Sequence, residues 1–593
     1  MQTIYDLITK EEKSFLLEIP VTDSWNWSFA EHIKKSVHYK NSVFLGGKDD
    51  NRPFKNVIRP ILNVQYRAEG FDVKDIVLFV DNAEKNWKSF LVRRYHDKWA
   101  RENKLDKFID ALVESYVDFG GVLVKKTSNS VPEVVPLQRL AFVDQSDMLA
   151  GPICEKHFYS PTELREEGEG KKWENLDEVI AQAEKNRDVN GQKANTPGKH
   201  IEVYELHGVF PRHFLEEEYG EYYSEEQEND LVGQVHICTF YMNEDGTRKG
   251  ISLFKGLEKD SPYKLLLRDE IYGRALGLGG VEELFEDQIW INYGMIRLKQ
   301  LLDSASKVIN WTDDPKFANN NKTDHLENGE ILVGQTGTTF RQIDTTPRST
   351  QLFDNFVANT EQHARVMGAA SEGVQGQNPP AGTPFKLQEL ITAEAHSLHE
   401  YRKKKISDFV VEIYHDWILP QINKDIRKGE AFLAELELDE LQFVTDRLIN
   451  NLANKAIKEG IMKGILIPAE MIEEFKIRAR EEFSKTNKKF LEILKDEFKD
   501  TEMDVKVDIA GKQKNLSGET DKLVNVYRTL VAQGTNPALL AKLLAKILEF
   551  SGLSPIDFAG LINQPVQPTP VSATEPLKKL PERPTVAGQI SNQ

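Results

Sequence analysis

GLGGVEELFEDQIWINYGMIRLKQ, residues 277–300, decides the reading of this chain. From Gly280 to about Lys307 apolar residues recur at helical spacing. Val281, Leu284, Phe285, Ile289, Ile291, Met295, Ile296, Leu298 and Leu302 stand against Trp290, Tyr293 and Leu301 on the opposite side. A helix apolar on most sides is buried on most sides. In a rod with no large domain around it, the natural burial partners are neighbouring subunits.

A short strand-and-turn insert follows (308–346), with the turn-rich NNNKTDHLENGE (319–330) and the strands EILVG and TTFRQID. Thr346 can cap and Pro347 can open a second helix, 347–368. Its apolar stripe is Leu352, Phe353, Phe356, Val357, Ala364 and Met367; the opposite face is polar (Asp354, Asn355, Glu361, Gln362, Arg365). The loop SEGVQGQNPPAGTP (371–384) leads into a helix that meets no glycine or proline until Pro420. At 1.5 Å per residue that is a rod of roughly 60 Å. Pro420 should kink or end it.

Composition sets the bounds. The chain has 593 residues, enough for several domains and a sizeable core. It carries 94 Asp+Glu against 76 Lys+Arg, a formal charge of −18. A conventional nucleic-acid reader shows a basic face, so this chain does not grip nucleic acid through bulk charge. Cys154 and Cys238 lie far apart and make no metal-ligand spacing; both read as buried or half-buried thiols. The segment MQTIYDLITKEEK has no signal pattern and no run of 18 apolar residues exists. No membrane span is expected, and synthesis in the cytosol is.

Residues 1–50 read as an N-terminal arm or small helices, and 54–81 alternate in apolar content. Helices are expected over 83–101 and 104–119, near 161–167 and near 174–186. Strands are expected at 122–126, through 131–144, and at 201–210, 232–243 and 251–256. The acidic run EEEYGEYYSEEQEND (216–230) reads as a solvated surface loop. Helices are expected again at 441–458, 468–496 and 518–562, with a strand in 502–511. Prolines among Gln, Thr and Ser mark 564–593 as a disordered tail.

Catalytic chemistry is not visible. No G-x-x-x-x-G-K-[ST] occurs, and the glycines at 277–280 lack the dinucleotide-binding pattern. No cofactor, metal or catalytic residue is assigned. His396 and His399, with Glu394 and Glu400 nearby, sit at i, i+3 without the H-E-x-x-H spacing, so surface or inter-subunit polar contacts are the expectation. Tyr401-Arg402-Lys403-Lys404-Lys405 is the one compact basic cluster. It reads as a solvated helix face, as a contact for passing phosphates, or as a partner for acidic residues of a neighbouring subunit.

The rod–insert–rod–loop–long-helix order resembles the portal proteins of tailed double-stranded DNA bacteriophages. Residues 277–300, HARVMGAASEGVQGQNPPAGTPFKLQE (363–389) and DFGGVLVKK (118–126) look like that family, and the likeness runs over roughly 50–560. It implies a mixed α+β, helix-rich, portal-like fold. The wing would be 1–277 with 430–515, the stem helices 278–307 and 347–370, and the clip 308–346. The tunnel loop would be 371–384, the long kinked helix 385–429 and the crown 516–563.

The resemblance also implies a homo-oligomeric ring, usually of twelve subunits, at one capsid vertex of the virion, assembled in the host cytoplasm. Double-stranded DNA would pass through it during packaging and ejection. A separate terminase large subunit would dock on the clip, a head–tail adaptor would later take its place, and the major capsid protein would surround the ring. Leu284, Phe285, Ile289, Met295, Leu352, Phe353 and Phe356 would pack the stem. Glu372, Gln375, Gln377, Asn378 and Thr383 would face DNA, and Arg402, Lys403, Lys404 and Lys405 would face the channel or a neighbour. One charge in the loop lets it touch a duplex without trapping it, whereas a strongly basic lining would stall one. Two rival readings are another head–tail connector or adaptor ring and a metal-dependent nuclease fused to a helical scaffold.

Overall fold

Thr3 and Asp6 start the fold with a capping box. The Asp6 N–H donates to the Thr3 hydroxyl at 3.3 Å and the Thr3 N–H donates to the Asp6 carboxylate at 3.0 Å, so two end donors are satisfied. The computed structural model describes residues 3–22, 25–45, 52–79, 87–127, 131–185, 188–189, 192–193, 201–215, 230–242, 248–305, 309–320, 333–337, 339–343, 351–368, 385–428, 438–463, 468–485, 504–507 and 525–529. The chain divides into two units, residues 1–434 with 486–511 and residues 435–485 with 512–593.

The first unit runs α1 (Ile4–Ser14), the hairpin β1 (Glu18–Thr22) and β2 (Trp25–Ser28), α2 (Phe29–Lys40), α3 (Ile58–Glu69), β3 (Ile76–Phe79), α4 (Trp87–Glu102) and α5 (Leu105–Phe119). Strands β4 (Gly121–Lys126), β5 (Pro132–Val134), β6 (Leu140–Phe142) and β7 (Ile153–Tyr159) follow, then α6 (Pro161–Lys171) and α7 (Leu176–Lys185). Next come the short pair β8 (Asp188–Val189) and β9 (Gln192–Lys193), then β10 (Ile201–Pro211), β11 (Leu231–Met242), β12 (Arg248–Leu257) and β13 (Tyr263–Leu267). The rods are α8 (Gly280–Glu283), α9 (Phe285–Ala305) and α11 (Gln351–Met367), with β14 (Ile309–Thr312), α10 (Pro315–Asn320) and β15 (Phe340–Ile343) between them. The long helix is α12 (Phe385–Ile413), continued by α13 (Leu419–Lys428).

The second unit has α14 (Leu438–Met462) and α15 (Ala469–Lys485), joined by an exposed Arg480–Asp446 pair at 2.9 Å. Returning to the first unit, β16 (Asp504–Val507) pairs antiparallel with β3. The remainder of 516–563 beyond 525–529, and all of 564–593, lie outside the described residues.

The body is mixed helix and sheet. An antiparallel five-stranded sheet has the order β12-β11-β10-β7-β6, and a three-stranded sheet the order β13-β4-β5. Phe29, Leu123, Phe142, Ile153, Tyr263 and Leu276 make one core cluster. Leu164, Trp173, Val203 and Leu253 make another, beneath α6 and α7. Of the two readings of the first 50 residues, the small helices hold among the described residues: Ile4 and Ile8 of α1 and Phe29 of α2 are core residues.

Two expectations need correction. The apolar residues within 54–81 include Ile58, Ile61 and Leu62, all buried, at helical spacing; they form α3, and among the described residues the strand is confined to 76–79. The first rod is broken at Leu284, after one turn, because Leu284 leaves helical geometry (φ −100°, ψ 0°). As expected of Pro420, the long helix is interrupted just before it, by a wide π turn at Tyr414–Ile418. Proline cannot donate to the carbonyl four residues back and its ring crowds it; a widened turn absorbs both.

Candidate subunit interface on the paired helices

The paired rods are rooted in the body by buried polar side chains. Arg274 donates to Glu282 through both terminal nitrogens, at 2.8 and 2.7 Å, and to the Leu276 and Gly277 carbonyls at 2.9 and 2.7 Å. Gln288 of α9 accepts from the Val57 N–H at 2.8 Å and donates to the Lys55 carbonyl at 2.6 Å. Asn292, one turn on, accepts from the Lys55 N–H at 3.1 Å. Gln65 of α3 donates to the Gly368 carbonyl at 2.9 Å, fixing the end of α11. A Cβ on Gly294 would lie 3.4 Å from Val357, in ordinary van der Waals contact, so α9 and α11 run close together there.

A charge knot beneath this root ties in the long helix. Arg268 and Glu69, both fully buried, pair at 2.8 Å. Arg402 of α12 reaches Asp269 at 2.5 Å, Glu283 at 3.2 Å and Glu69 at 3.5 Å, and His399 lies 3.1 Å from Glu69. Burial alone would push the Glu69 carboxyl up, but the Arg268 guanidinium, the His399 hydrogen bond and Arg402 outweigh it and hold it below the usual range. Loss of one member of such a knot leaves an uncompensated charge and costs about 3–5 kcal/mol.

Above the root, one flank of the helix pair is apolar and uncovered. Trp290 is 55% exposed, Tyr293 51%, Phe356 42% and Ile289 40%. The Trp290 ring meets Tyr293 and Phe356 edge to face, each at 6.4 Å between centroids. Arg297 donates to the Tyr293 hydroxyl at 2.9 Å and lies over its ring. Contiguous exposed aromatics of this kind mark an interaction surface.

No family model matches the chain, and no curated protein does. Among solved structures, a chain in the virion of a native gene transfer agent (GTA) particle is similar at 10% identity and a TM-score of 0.32, covering 92% of this chain and 99% of that one. A chain in the neck of a native GTA particle, computed with C12 symmetry, gives 10%, 0.31, 73% and 97%. A chain in the neck of an empty GTA particle, computed with C6 symmetry, gives 10%, 0.33, 88% and 97%. At these scores the likeness carries no functional argument.

The residues expected to pack the stem divide into two sets. Leu284 is buried in the root, and Phe285 lies edge to face with Tyr39 at 4.6 Å. Met295 and Phe353 are half-buried. Ile289 and Phe356 are exposed. The side chain of Leu352 lies outside the described residues. Burial of the first rod by neighbouring subunits on most sides is therefore corrected: Val281, Leu284 and Ile291 are covered within the chain.

The basic run is split by helix geometry, because consecutive residues turn by about 100°. Arg402 is spent in the charge knot. Lys403 is buried and lines a 560 Å³ cleft with Tyr66, Asp110 and Glu114. Lys404 is exposed. Lys405 donates to the Arg268 carbonyl at 2.7 Å. His399, expected in a surface or inter-subunit contact, is buried against Glu69. The side chain of His396 lies outside the described residues, as do Glu372, Gln375, Gln377, Asn378 and Thr383. Cys154 and Cys238 are both buried and form no disulfide. No helix among the described residues is long and apolar enough to cross a membrane.

Sequence reasoning missed one cluster with metal-ligand chemistry, Glu155, His157 and Glu205. Its only sequence signal is the alternation of Glu155 with His157 and of Glu205 with His207 along two strands.

Proposed function

We propose that this chain is a ring-forming structural subunit of a phage-like particle, and specifically its portal protein. The uncovered aromatic flank Trp290–Tyr293–Phe356 carries this reading, because it sits on two helices locked to the body by Gln288, Asn292 and Gln65. A rigid rod with one apolar flank is suited to side-by-side packing with copies of itself. The strand pair β14–β15 between the rods leaves Trp311, Phe340 and Ile343 exposed, a surface on which a terminase and later an adaptor can dock. The sequence resemblance supplies the remainder: twelve subunits, duplex DNA in the channel, the major capsid protein around the ring, and no catalytic activity in this chain.

Mass photometry and electron microscopy of the purified full chain test the ring. Twelve copies of 67.7 kDa make 12 × 67.7 = 812 kDa. Particles of that mass with a central hole are expected. A chain that stays monomeric even when co-expressed with its capsid protein refutes the reading. Divalent-metal-dependent cleavage of DNA that co-purifies with the chain would favour the nuclease alternative instead.

A further inference from the structure

Glu155 on β7 and Glu205 on β10 stand directly opposite each other in the antiparallel pair. Glu155 is buried and the Glu205 side chain is largely so. Like charges directly opposite are destabilising, and buried carboxylates are either paired with a cation or neutralised. His157 brings its Nε2 to 3.0 Å from Glu205 Oε2 and 3.6 Å from Glu155 Oε2. The three ligand atoms all lie within 4.8 Å of one another. Two carboxylate oxygens and one imidazole nitrogen are the donor set of a transition-metal site.

The space between the carboxylates is taken. Lys125 Nζ lies 2.8 Å from Glu155 and 2.6 Å from Glu205. It reaches across from β4, in the three-stranded sheet. Tyr263, on β13 of that sheet, donates its hydroxyl to Glu155. On the other side, His207 lies 3.0 Å from Glu205 and 2.8 Å from Glu258.

The structure assigns Lys125 the place of a divalent ion in a built three-ligand site. Its ammonium is the resident cation of the cluster and clasps the three-stranded sheet to the five-stranded one. With that ammonium removed, the site takes a borderline transition-metal dication such as Zn²⁺ or Co²⁺. Zinc–oxygen bonds are about 0.6 Å shorter than the ammonium–oxygen contacts, so the carboxylates would close inward around the ion. The assignment is independent of the ring reading.

The test uses the full chain with Lys125→Met. In EDTA the variant should melt several degrees below the parent. Excess ZnCl₂ should restore a large part of that loss and should leave the parent unchanged. Titration with CoCl₂ should give a visible absorption band that saturates at one ion per chain in the variant only. Adding His157→Ala should abolish both responses. If Lys125→Met does not fold, Lys125→Met/Glu205→Gln decides: removing one charge of each sign should restore folding without metal. A parent that binds cobalt as the variant does overturns the assignment. So does a Lys125→Met chain as stable as the parent in EDTA or indifferent to zinc, or a double variant no better than the unfolded single one.

Discussion

The Gly277 N–H donates to the Gly120 carbonyl at 3.2 Å, and the two residues meet backbone to backbone. Gly120 ends α5 in the left-handed region, at φ +76°. A Cβ there would lie 2.3 Å from the Gly277 carbonyl oxygen. The glycine pairs 120–121 and 279–280 therefore serve one purpose. They let the start of the first rod lie against the end of a core helix.

Gly120→Ala should strike this junction twice, through left-handed strain and through the clash. A loss of about 3 kcal/mol is expected, read as a lower melting temperature and reduced soluble yield. Gly170→Ala is the control, since nothing lies within 4 Å of a Cβ at that helical position. It should be neutral or stabilising by about 0.5–1 kcal/mol. Equal effects of the two changes would show that the junction does not matter.

Trp290→Ser with Tyr293→Ser should dissolve rings while leaving each chain folded. Both side chains are about half exposed in the isolated chain, so their removal takes little from its own core. Mass photometry should show monomers, and circular dichroism should be unchanged. Rings of normal mass from this variant would place the interface elsewhere.

Arg268→Met leaves the buried Glu69 without its 2.8 Å partner. A destabilisation of about 3–5 kcal/mol is expected. Glu69→Gln/Arg268→Met should recover part of it, because the two residues are coupled and their effects do not add. Strict additivity in thermal melts would refute the knot.

Glu11 gives a pH dependence of stated sign. It is buried on α1, and burial pushes its carboxyl up to about 7, against the smaller opposing effects of Lys10 and Ser14. The folded chain therefore holds a proton that the unfolded chain releases near its ordinary value of 4.5. The stability linked to this proton is full below pH 4.5 and is lost as pH rises through 7. Glu11→Gln should flatten stability across that window and raise the melting temperature at pH 8. An unchanged pH profile would show that Glu11 ionises freely.

Deleting residues 374–380, from the loop outside the described residues, should leave rings intact, since shortening a loop changes closure entropy by about 1 kcal/mol or less. Packaging or retention of DNA should fall. Normal packaging with a normal genome length would remove the loop from any role on DNA.

Much of the chain was legible because periodicity is local. Phe108, Leu112 and Tyr116 announce α5 by their spacing, and the rods, the insert and the long helix stand in the order that their apolar stripes and glycine–proline breaks imply. The same logic failed at α3, where short apolar runs suit both a helix and a strand. It also assigned the first rod to neighbouring subunits, because the stripe around Leu284 says that a face is covered but not by what.

The sequence by itself determined the element order, the wet face of the second rod and the acidic balance. These follow from residue types within a turn or two of one another. Only the tertiary structure decided where the charges go. His399 meets Glu69 across 330 residues, and Lys125 reaches Glu205 from another sheet. An isolated basic or acidic residue in a sequence is more often solvated than buried. What turns Arg402 inward is the set of carboxylates that folding gathers around it from three distant segments, and no local pattern encodes that meeting.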